Sequence, residues 1–531
     1  MSSHLVIAPI VLPLLVAALQ LLVGGRSRRA VDALSVASCI ALVALSAVLV
    51  SSAASDGVAG AVYRIGDWPA RFGIVLVADR LSTLMVLLTS VVGLVILPYA
   101  LSHWQRRSGY FQPLLQFLLM GLNGAFLTGD LFNLFVFFEV LLAASYGLAL
   151  HGSGPRRVSA GLHYIAVNLT ASMLFLVGVS LIFGVTGTLN MAALAALIPT
   201  VPDHTRALLH AGAAILGVAF LVKTAMWPLG FWLPRTYAAS APAVAAMFVL
   251  MTKVGIYILL RLGLLLFGAD AGPASAGFGS SWMLWGGCAT VLAGIVGLLA
   301  ARDLGTLAGY NVIISSGTLL GAVALKVPAV TAGALAYLVV STLAISAFFL
   351  VAGLLTPDRD EEAGSSLQLE PYVQAGDTGE SLYAEEDESR VVISAPVAIL
   401  ALSFLLCALL LSGLPPLSGF LAKFALLAPL TAAMSGAGAV TLFVLVIAAG
   451  FFTIIAMCRA GIQIFWADSE RHFPDVRMGE TVSVLALLAL CVVLTVAVDR
   501  PMHYLQETAR QLHAPAEYIQ QVLPPPEAWP R

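Results

Sequence analysis

Residues 393–434 read ISAPVAILALSFLLCALLLSGLPPLSGFLAKFALLAPLTAAM, an apolar run in which Lys423 is the one charged side chain. Pro415 and Pro416 interrupt this run, and proline breaks an α-helix because it removes a backbone donor. A second apolar span is interrupted in a similar way at Pro228, within the sequence WPLGF of residues 227–231. Broken helices in corresponding halves of a membrane chain indicate inverted repeats and an ion site near the bilayer midplane. A simple proline kink at each position is the alternative.

The composition indicates that lipid is the solvent of this chain. Hydrophobic residues make up 60% of the 531 residues, charged residues only 10%, and the mean hydropathy is +0.97. Soluble domains carry about 25% charged residues. We therefore predict an all-α integral membrane protein with about 14 transmembrane helices, two of them discontinuous, in inverted five-helix repeats. The predicted spans lie near residues 5–23, 31–53, 74–100, 113–128, 130–150, 159–184, 207–227, 243–267, 281–300, 306–326, 330–354, 393–434, 438–466 and 480–498.

The predicted organisation has four parts. Three helices occupy residues 1–112, a first repeat of five helices follows in 113–267, a second repeat occupies 281–466, and a last helix with a C-terminal tail occupies 480–531. With the N-terminus outside, the inner loops hold thirteen arginines, whereas the outer loops hold four basic residues. This bias predicts that orientation. We expect the membrane to be a bacterial inner membrane. No basic residue precedes the first apolar segment, which favours a retained helix over a signal peptide.

One polar stretch stands apart from the spans. Residues 356–391 contain eleven acidic residues and two arginines. Such a composition predicts a solvated, loosely packed cytoplasmic loop. A docking surface for a partner is the alternative.

Four ionisable residues lie within apolar spans. They are Glu139, in the run LFNLFVFFEVLL of residues 131–142, and three of the four lysines of the chain, Lys223, Lys253 and Lys423. A charge at the bilayer centre costs about 2.5–3.5 kcal/mol on insertion scales, so such residues face the protein interior or water and are functional by default. Burial lets a lysine exchange its charged and neutral forms near physiological pH, whereas an arginine stays protonated. This pattern predicts a proton relay in which Glu139 pairs with Lys223. Static ion pairs, or hydrogen bonds to the carbonyls of a broken helix, are the alternatives.

Further polar residues have weaker signals. His163 lies just inside a span and is either a relay group or a packed interfacial histidine. Arg261 follows Lys253 by eight residues on the same helix face, where we favour an interface role. Asp79 and Asp130 are placed as helix caps.

The motif search points away from several classes of protein. The five cysteines lie apart in apolar runs and predict no metal or redox site. There is no P-loop, no dinucleotide-binding glycine pattern and no haem ligand set in a convincing context. We therefore expect no cofactor, no metal and no nucleic acid partner.

Four stretches of the chain carry a family resemblance. They are TGDLFNLFVFFE (128–139), LVKTAMWPL (221–229), MTKVG (251–255) and GLPPLSGFLAKF (413–424). The chain resembles the proton-conducting membrane transporter family, which is shared by the antiporter-like subunits of respiratory complex I and the Mrp-type multisubunit Na⁺/H⁺ antiporters. It looks most like the D-type branch of the Mrp subunits, on the first stretch, on YNVIISSGTLL (310–320) and on the acidic insertion.

The resemblance implies a role for each ionisable residue. Glu139 matches the essential carboxylate of the fifth helix, Lys223 its partner on the broken seventh helix, Lys253 the central relay lysine, and Lys423 the terminal group of the broken twelfth helix. His163 aligns near a position often held by a basic relay group.

The eleventh helix departs from the family pattern. Relatives in complex I usually carry a histidine or lysine there, whereas residues 337–349 read YLVVSTLAISAFF. Between Lys253 and Lys423 a proton would therefore need water and hydroxyls such as those of Ser341 and Thr342.

The primary functional hypothesis is a secondary transporter subunit rather than an enzyme. It would exchange protons for Na⁺, or K⁺, together with other subunits of a hetero-oligomer in a lipid membrane. A proton-pumping subunit of a redox complex is the second hypothesis. A non-conducting scaffold is the third.

Overall fold

A computed structural model describes residues 3–24, 27–55, 61–68, 73–104, 110–152, 154–356, 395–432, 436–466 and 477–523. Within these ranges the chain is helical apart from its loops and one antiparallel hairpin, β1 (Ala61–Arg64) with β2 (Val75–Ala78). The first half holds ten helices, α1 (Ala8–Val23), α2 (Arg28–Ser55), α3 (Arg80–Trp104), α4 (Phe111–Leu127), α5 (Leu131–Ala149), α6 (Pro155–Thr186), α7 (Met191–Leu197), α8 (Asp203–Lys223), α9 (Leu233–Ala239) and α10 (Pro242–Leu265). The second half holds nine, α11 (Ser280–Ala300), α12 (Leu304–Ala324), α13 (Pro328–Leu355), α14 (Ala395–Ser412), α15 (Ser418–Ala432), α16 (Ala437–Phe465), α17 (Met478–Val496), α18 (Asp499–Leu512) and α19 (Pro515–Val522).

The all-α membrane fold is confirmed. Twelve of the described helices are long and apolar enough to cross a bilayer, and the shorter apolar helices α1 and α4 bring the number of spans to the predicted fourteen. The acidic stretch falls outside the described residues apart from Thr356. Helix α7 and the C-terminal helices α18 and α19 were not predicted from the sequence.

Both predicted helix breaks are present. Helix α8 ends at Lys223, ahead of Pro228, and the chain resumes as α9 at Leu233. Ala225 takes a positive φ of 56° in this break. The second break separates α14 from α15 around Pro415 and Pro416, and Gly413 there has a φ of +77°, a conformation that glycine adopts without strain.

The order and packing of the helices repeat along the chain. In α4–α10, helix α4 packs on α5, and α6 packs on α8 of the broken helix. In α11–α16, helix α11 packs on α12, and α13 packs on α14 and α15 of the broken helix. In each set the fourth span is the broken one. The boundaries of the four parts given above remain predictions.

Helices α10, α12 and α13 form the centre of the molecule. In an apolar stretch of 18 residues in each of these helices, between 89% and 94% is buried. The corresponding share is 33% for α2, α16 and α17. A span buried on all sides contacts protein rather than lipid, so a polar group on it can find a partner. A polar side chain on any face of these three helices therefore meets protein rather than lipid.

Candidate proton-relay site

The three predicted relay lysines lie inside the protein. Lys253 is 0% exposed and Lys223 is 8% exposed, while Lys423 and Glu139 are partly buried. Each lysine amino group has oxygen partners within hydrogen-bond distance. The three lysine amino groups therefore meet polar groups of the protein rather than lipid.

Lys223 is the last residue of α8, where the helix breaks. Its Nζ donates to Oδ1 of Asn168 on α6 at 3.0 Å and lies 3.4 Å from the backbone carbonyl of Asn168. Nζ also lies 5.9 Å from the centre of the Phe138 ring. A cation at a helix C-terminus is favoured by the helix dipole. Asn168 escaped the sequence analysis, although an amide within an apolar span was the signal that could have revealed it.

Glu139 does not form the predicted direct pair with Lys223. No ion pair joins these two described residues, because Asn168 occupies the hydrogen-bonding position beside the amino group. Glu139 is close enough to interact electrostatically with Lys223 and with Tyr146. Its buried Oε1 has no hydrogen-bond partner within the described ranges.

Lys253 begins a chain of hydroxyl groups across the centre. Its Nζ donates to Oγ of Ser315 on α12 at 2.6 Å, and Oγ of Ser315 donates to Oγ of Ser341 on α13 at 3.0 Å. Both hydrogen bonds point the same way, from the lysine toward Ser341. Ser341 was predicted, whereas Ser315 was quoted only as part of the family signature.

A small cavity continues the chain beyond Ser341. It is lined by Asn311, Tyr337 and Ser341 on one side and by Leu411 and Gly419 of the second helix break on the other. The space open to the centre of a water-sized sphere is about 20 Å³. A cavity holds a water when about 10–15 Å³ of such space is present, so one water molecule fits beside the Ser341 hydroxyl.

Lys423 does not line this cavity, but it bonds the carbonyl of the lining residue Leu411. Its Nζ donates to the backbone carbonyls of Leu411 at 2.9 Å and Ser412 at 2.8 Å, the last two residues of α14. These carbonyls are among those that an α-helix leaves without internal partners. The helix break therefore supplies the acceptors for Lys423, and Leu411 contributes to both the cavity and the lysine site.

Two of the possible relay groups lie away from this line. The Thr342 hydroxyl donates to the carbonyl of Leu338 in its own helix at 2.6 Å and does not line the cavity. His163 is exposed on the surface of α6, with Nδ1 2.8 Å from the carbonyl of Ser159. The structure does not bring His163 to the buried lysines.

Fewer hydrogen bonds connect Lys223 with Lys253 than connect Lys253 with Ser341. Nδ2 of Asn168 donates to the carbonyl of Tyr164 at 2.9 Å, and the Tyr164 hydroxyl lies 3.7 Å from Sδ of Met251, two residues before Lys253. In the described part of the chain, no series of side-chain hydrogen bonds joins the two lysines. The hydroxyl line therefore serves Lys253 and Lys423.

Asp79 and Arg261 form a buried ion pair near one end of α10. The guanidinium donates to the two carboxylate oxygens at 2.7 and 2.8 Å. Oδ1 of Asp79 also accepts from the backbone N–H of Ser82, so the Asp79 side chain caps α3. Burial alone would raise the pKa of Asp79, but the Arg261 charge and these hydrogen bonds outweigh it and lower that pKa below its usual value. Arg261 is thus buried and joins α10 to the start of α3, and Asp130 caps α5 as predicted.

Among the described residues, no three histidine, cysteine, aspartate or glutamate side chains come together as metal ligands. The polar groups at membrane depth instead form a line of amino groups, hydroxyls and carbonyl oxygens. Such amino and hydroxyl groups donate and accept protons.

Comparisons with known proteins agree with this architecture. Residues 128–453 match the family described as NADH:quinone oxidoreductase/Mrp antiporter, TM. The chain is 51% identical to the D subunit of a probable K(+)/H(+) antiporter of Rhizobium meliloti (strain 1021), over 99% of this chain and 98% of that protein. It is 34% identical to the D subunit of the Na(+)/H(+) antiporter of Alkalihalophilus pseudofirmus, over 98% of this chain and 99% of that protein.

A solved structure shows the same fold. A chain of the Mrp complex from Dietzia sp. DQ12-45-1b superposes with a TM-score of 0.81 at 26% identity, covering 98% of this chain and 100% of that chain. The family resemblance noted in the sequence is confirmed by these matches. The chain therefore belongs to the NADH:quinone oxidoreductase/Mrp antiporter transmembrane family.

Proposed function

We propose that this chain is the D-type subunit of a multisubunit monovalent cation/proton antiporter and that it conducts protons through its membrane interior. The observation that carries the proposal is the line from Lys253 through Ser315 and Ser341 to a cavity whose lining residue Leu411 accepts a hydrogen bond from Lys423. Similarity over nearly the full length to the D subunits of two antiporters supports the same assignment.

The hydrogen bonds define a direction of transfer. A protonated Lys253 gives its proton to Ser315 as Ser315 passes its own to Ser341. Ser341, whose hydroxyl donates to the Leu338 carbonyl at 3.3 Å, turns from that carbonyl and passes a proton to a water in the cavity. A neutral Lys423, behind the lining residue Leu411, accepts a proton from this water through a further water. The hydroxyls then rotate to restore the original pattern. Each step breaks one O–H or N–H bond and forms another, so the net change is one proton moved from Lys253 to Lys423.

In the proposed mechanism Glu139 and Lys223 hold a proton at a separate site, from which water carries it to Lys253. The carboxylate favours the protonated state of the nearby lysine, because an opposite charge in a low-dielectric interior stabilises the charged form. Asn168 holds the amino group in place meanwhile.

We further propose that the partners are the other subunits of the antiporter and that the complex resides in a bacterial inner membrane. The 51% identical relative is named for K⁺, whereas the 34% identical one is named for Na⁺. K⁺ is therefore the first cation to test.

The test uses the whole complex in everted membrane vesicles. Antiport is followed as the dissipation of a pH gradient on addition of K⁺ or Na⁺. Lys253→Met is expected to abolish antiport while assembly survives. Lys326→Met is the matched control, since Lys326 bonds the carbonyl of Phe267 at a helix end, away from the line. Full antiport in Lys253→Met would overturn the relay.

The competing functions predict different results in the same membranes. A redox-driven pump would respond to an electron donor rather than to added K⁺ or Na⁺. A scaffold would tolerate neutral replacement of Glu139, Lys223, Lys253 and Lys423.

A further inference from the structure

The proposed relay leaves two buried polar side chains of α10 unused. Tyr257 and Arg261 follow Lys253 by four and eight residues, so all three lie along one face of the helix. Tyr257 is 1% exposed and Arg261 is 4% exposed. This row of side chains runs from Lys253 toward the end of α10 that lies near the β1–β2 hairpin and the C-terminal helices. The side of the protein that carries the hairpin is called the hairpin face. The arginine distribution predicts that the hairpin face is the outer one.

A cavity with charged groups in its lining reaches this end of α10 from the hairpin face. It is lined by Asp79 and Arg261 at its base and by Thr508, Gln511 and Glu517 from α18 and α19. Glu517 is exposed, whereas Asp79 is buried, so the cavity leads from solvent to the ion pair. Its space open to the centre of a water-sized sphere is about 30 Å³, enough for about two waters.

The ion pair itself does not carry protons. Arg261 lowers the pKa of Asp79 below its usual value, and arginine stays protonated, so both remain charged at physiological pH. The pair instead positions its neighbour: Nε of Arg261 donates to the Tyr257 hydroxyl at 3.0 Å.

Tyr257 lies one helical turn from Lys253 on one side and from the cavity residue Arg261 on the other. Its hydroxyl donates to the backbone carbonyl of Phe126, near the end of α4, while it accepts from Arg261. Its ring packs edge-on against the Phe126 ring, with centroids 5.0 Å apart. With both hydrogen bonds made, the hydroxyl proton is already engaged and is not offered to a passing water.

We infer that Tyr257 is a closed gate between the outer cavity and Lys253, held shut by Arg261 and the Phe126 carbonyl. The inference rests on the proposed relay. A coupled transporter cannot keep its proton route open at both ends, because protons would then pass without exchange. Loss of the hydrogen bond to the Phe126 carbonyl would let the Tyr257 ring move aside, so that water from the cavity reaches Lys253.

The test compares two tyrosines in the whole complex, reconstituted in proteoliposomes. Tyr257→Phe removes the hydroxyl and keeps the ring and the Asp79–Arg261 pair. Tyr237→Phe is the matched control, since the buried Tyr237 hydroxyl also donates to a helix carbonyl, that of Phe248 at 2.7 Å, but has no hydrogen bond to Arg261. Passive proton flux without a cation gradient is measured per assembled complex.

We expect Tyr257→Phe to raise passive proton flux about two- to tenfold, the change that loss of one hydrogen bond implies for a closed state. Tyr237→Phe should leave it unchanged, and Tyr257→Phe with Lys253→Met should return it to baseline. Tight membranes in Tyr257→Phe, or poor assembly without leak, would overturn the gate. Because antiport in Lys253→Met is measured separately, that outcome leaves the relay standing.

A second measurement addresses the cavity. Gln511→Cys is placed in a background with Cys458→Ser, since Cys458 is the exposed one among the five free cysteines. A membrane-impermeant thiol reagent should label Gln511→Cys from the hairpin face and not from the opposite face. Failure to label from the hairpin face would overturn the access route.

Discussion

Replacement of Ser315 by alanine tests the hydroxyl line at its first link. The Ser315 hydroxyl is the oxygen partner of the fully buried Lys253 amino group, at 2.6 Å. Hydrogen bonds to charged groups contribute about 1.5–3 kcal/mol. Each 1.36 kcal/mol in a barrier is a factor of about ten in rate, so Ser315→Ala is expected to slow antiport about 10- to 100-fold.

Ser316→Ala is the matched control for this experiment. Ser316 is the next residue on the same helix, is equally buried, and its hydroxyl has no hydrogen-bond partner in the part of the chain that the structure describes. Both variants undergo the same chemical change, but only one interrupts the line. Initial rates of K⁺- and Na⁺-dependent proton movement in everted vesicles, normalised to assembled complex, provide the measurement. Equal rates in Ser315→Ala and Ser316→Ala would refute the reasoning.

Four other predictions follow from the same contacts. Lys423→Arg keeps a cation beside the Leu411 and Ser412 carbonyls, but arginine cannot release its proton. We therefore expect an assembled complex without antiport, and retained antiport would mean that Lys423 does not titrate. Asn168→Leu removes the acceptor beside Lys223 and should reduce the antiport rate at least about tenfold; an unchanged rate would assign Asn168 a packing role alone. His163→Ala should leave antiport unchanged, since the side chain is exposed and makes no contact with the lysines within the described ranges; a loss would return His163 to the relay. Asp79→Ala leaves the buried Arg261 charge unpaired and should lower the free energy of unfolding by about 3–5 kcal/mol, seen as a lower Tm of the purified complex; an unchanged Tm would show that the pair does not stabilise the fold.

The sequence was sufficient to predict the fold and the residues at membrane depth. Composition alone indicated lipid as the solvent, and the prolines at 228, 415 and 416 located both helix breaks. Each of these features depends on local properties of the chain. The cost of a charge in lipid likewise belongs to a single residue, which is why the chain's own pattern was enough to place Lys223, Lys253 and Lys423 in the interior.

The partners of those residues were harder to predict. The sequence suggested that Glu139 pairs with Lys223, whereas the side-chain hydrogen bond of Lys223 is made to Asn168, which the sequence did not point out. It offered Ser341 and Thr342 together, yet only the Ser341 hydroxyl faces Ser315 and the cavity. Adjacent residues on a helix point in directions about 100° apart, so the rotation of α13 decides which hydroxyl joins the line.

The sequence by itself therefore determined that this chain spans a membrane. It also determined the positions of the helix breaks and the charged residues at membrane depth. The tertiary structure alone decided which groups those charges meet, as with Asp79 and Arg261, which are separated by 182 residues. The physical reason is that burial and helix breaking follow from the chain nearby, whereas a hydrogen bond depends on the crossing and rotation of helices that are distant in sequence.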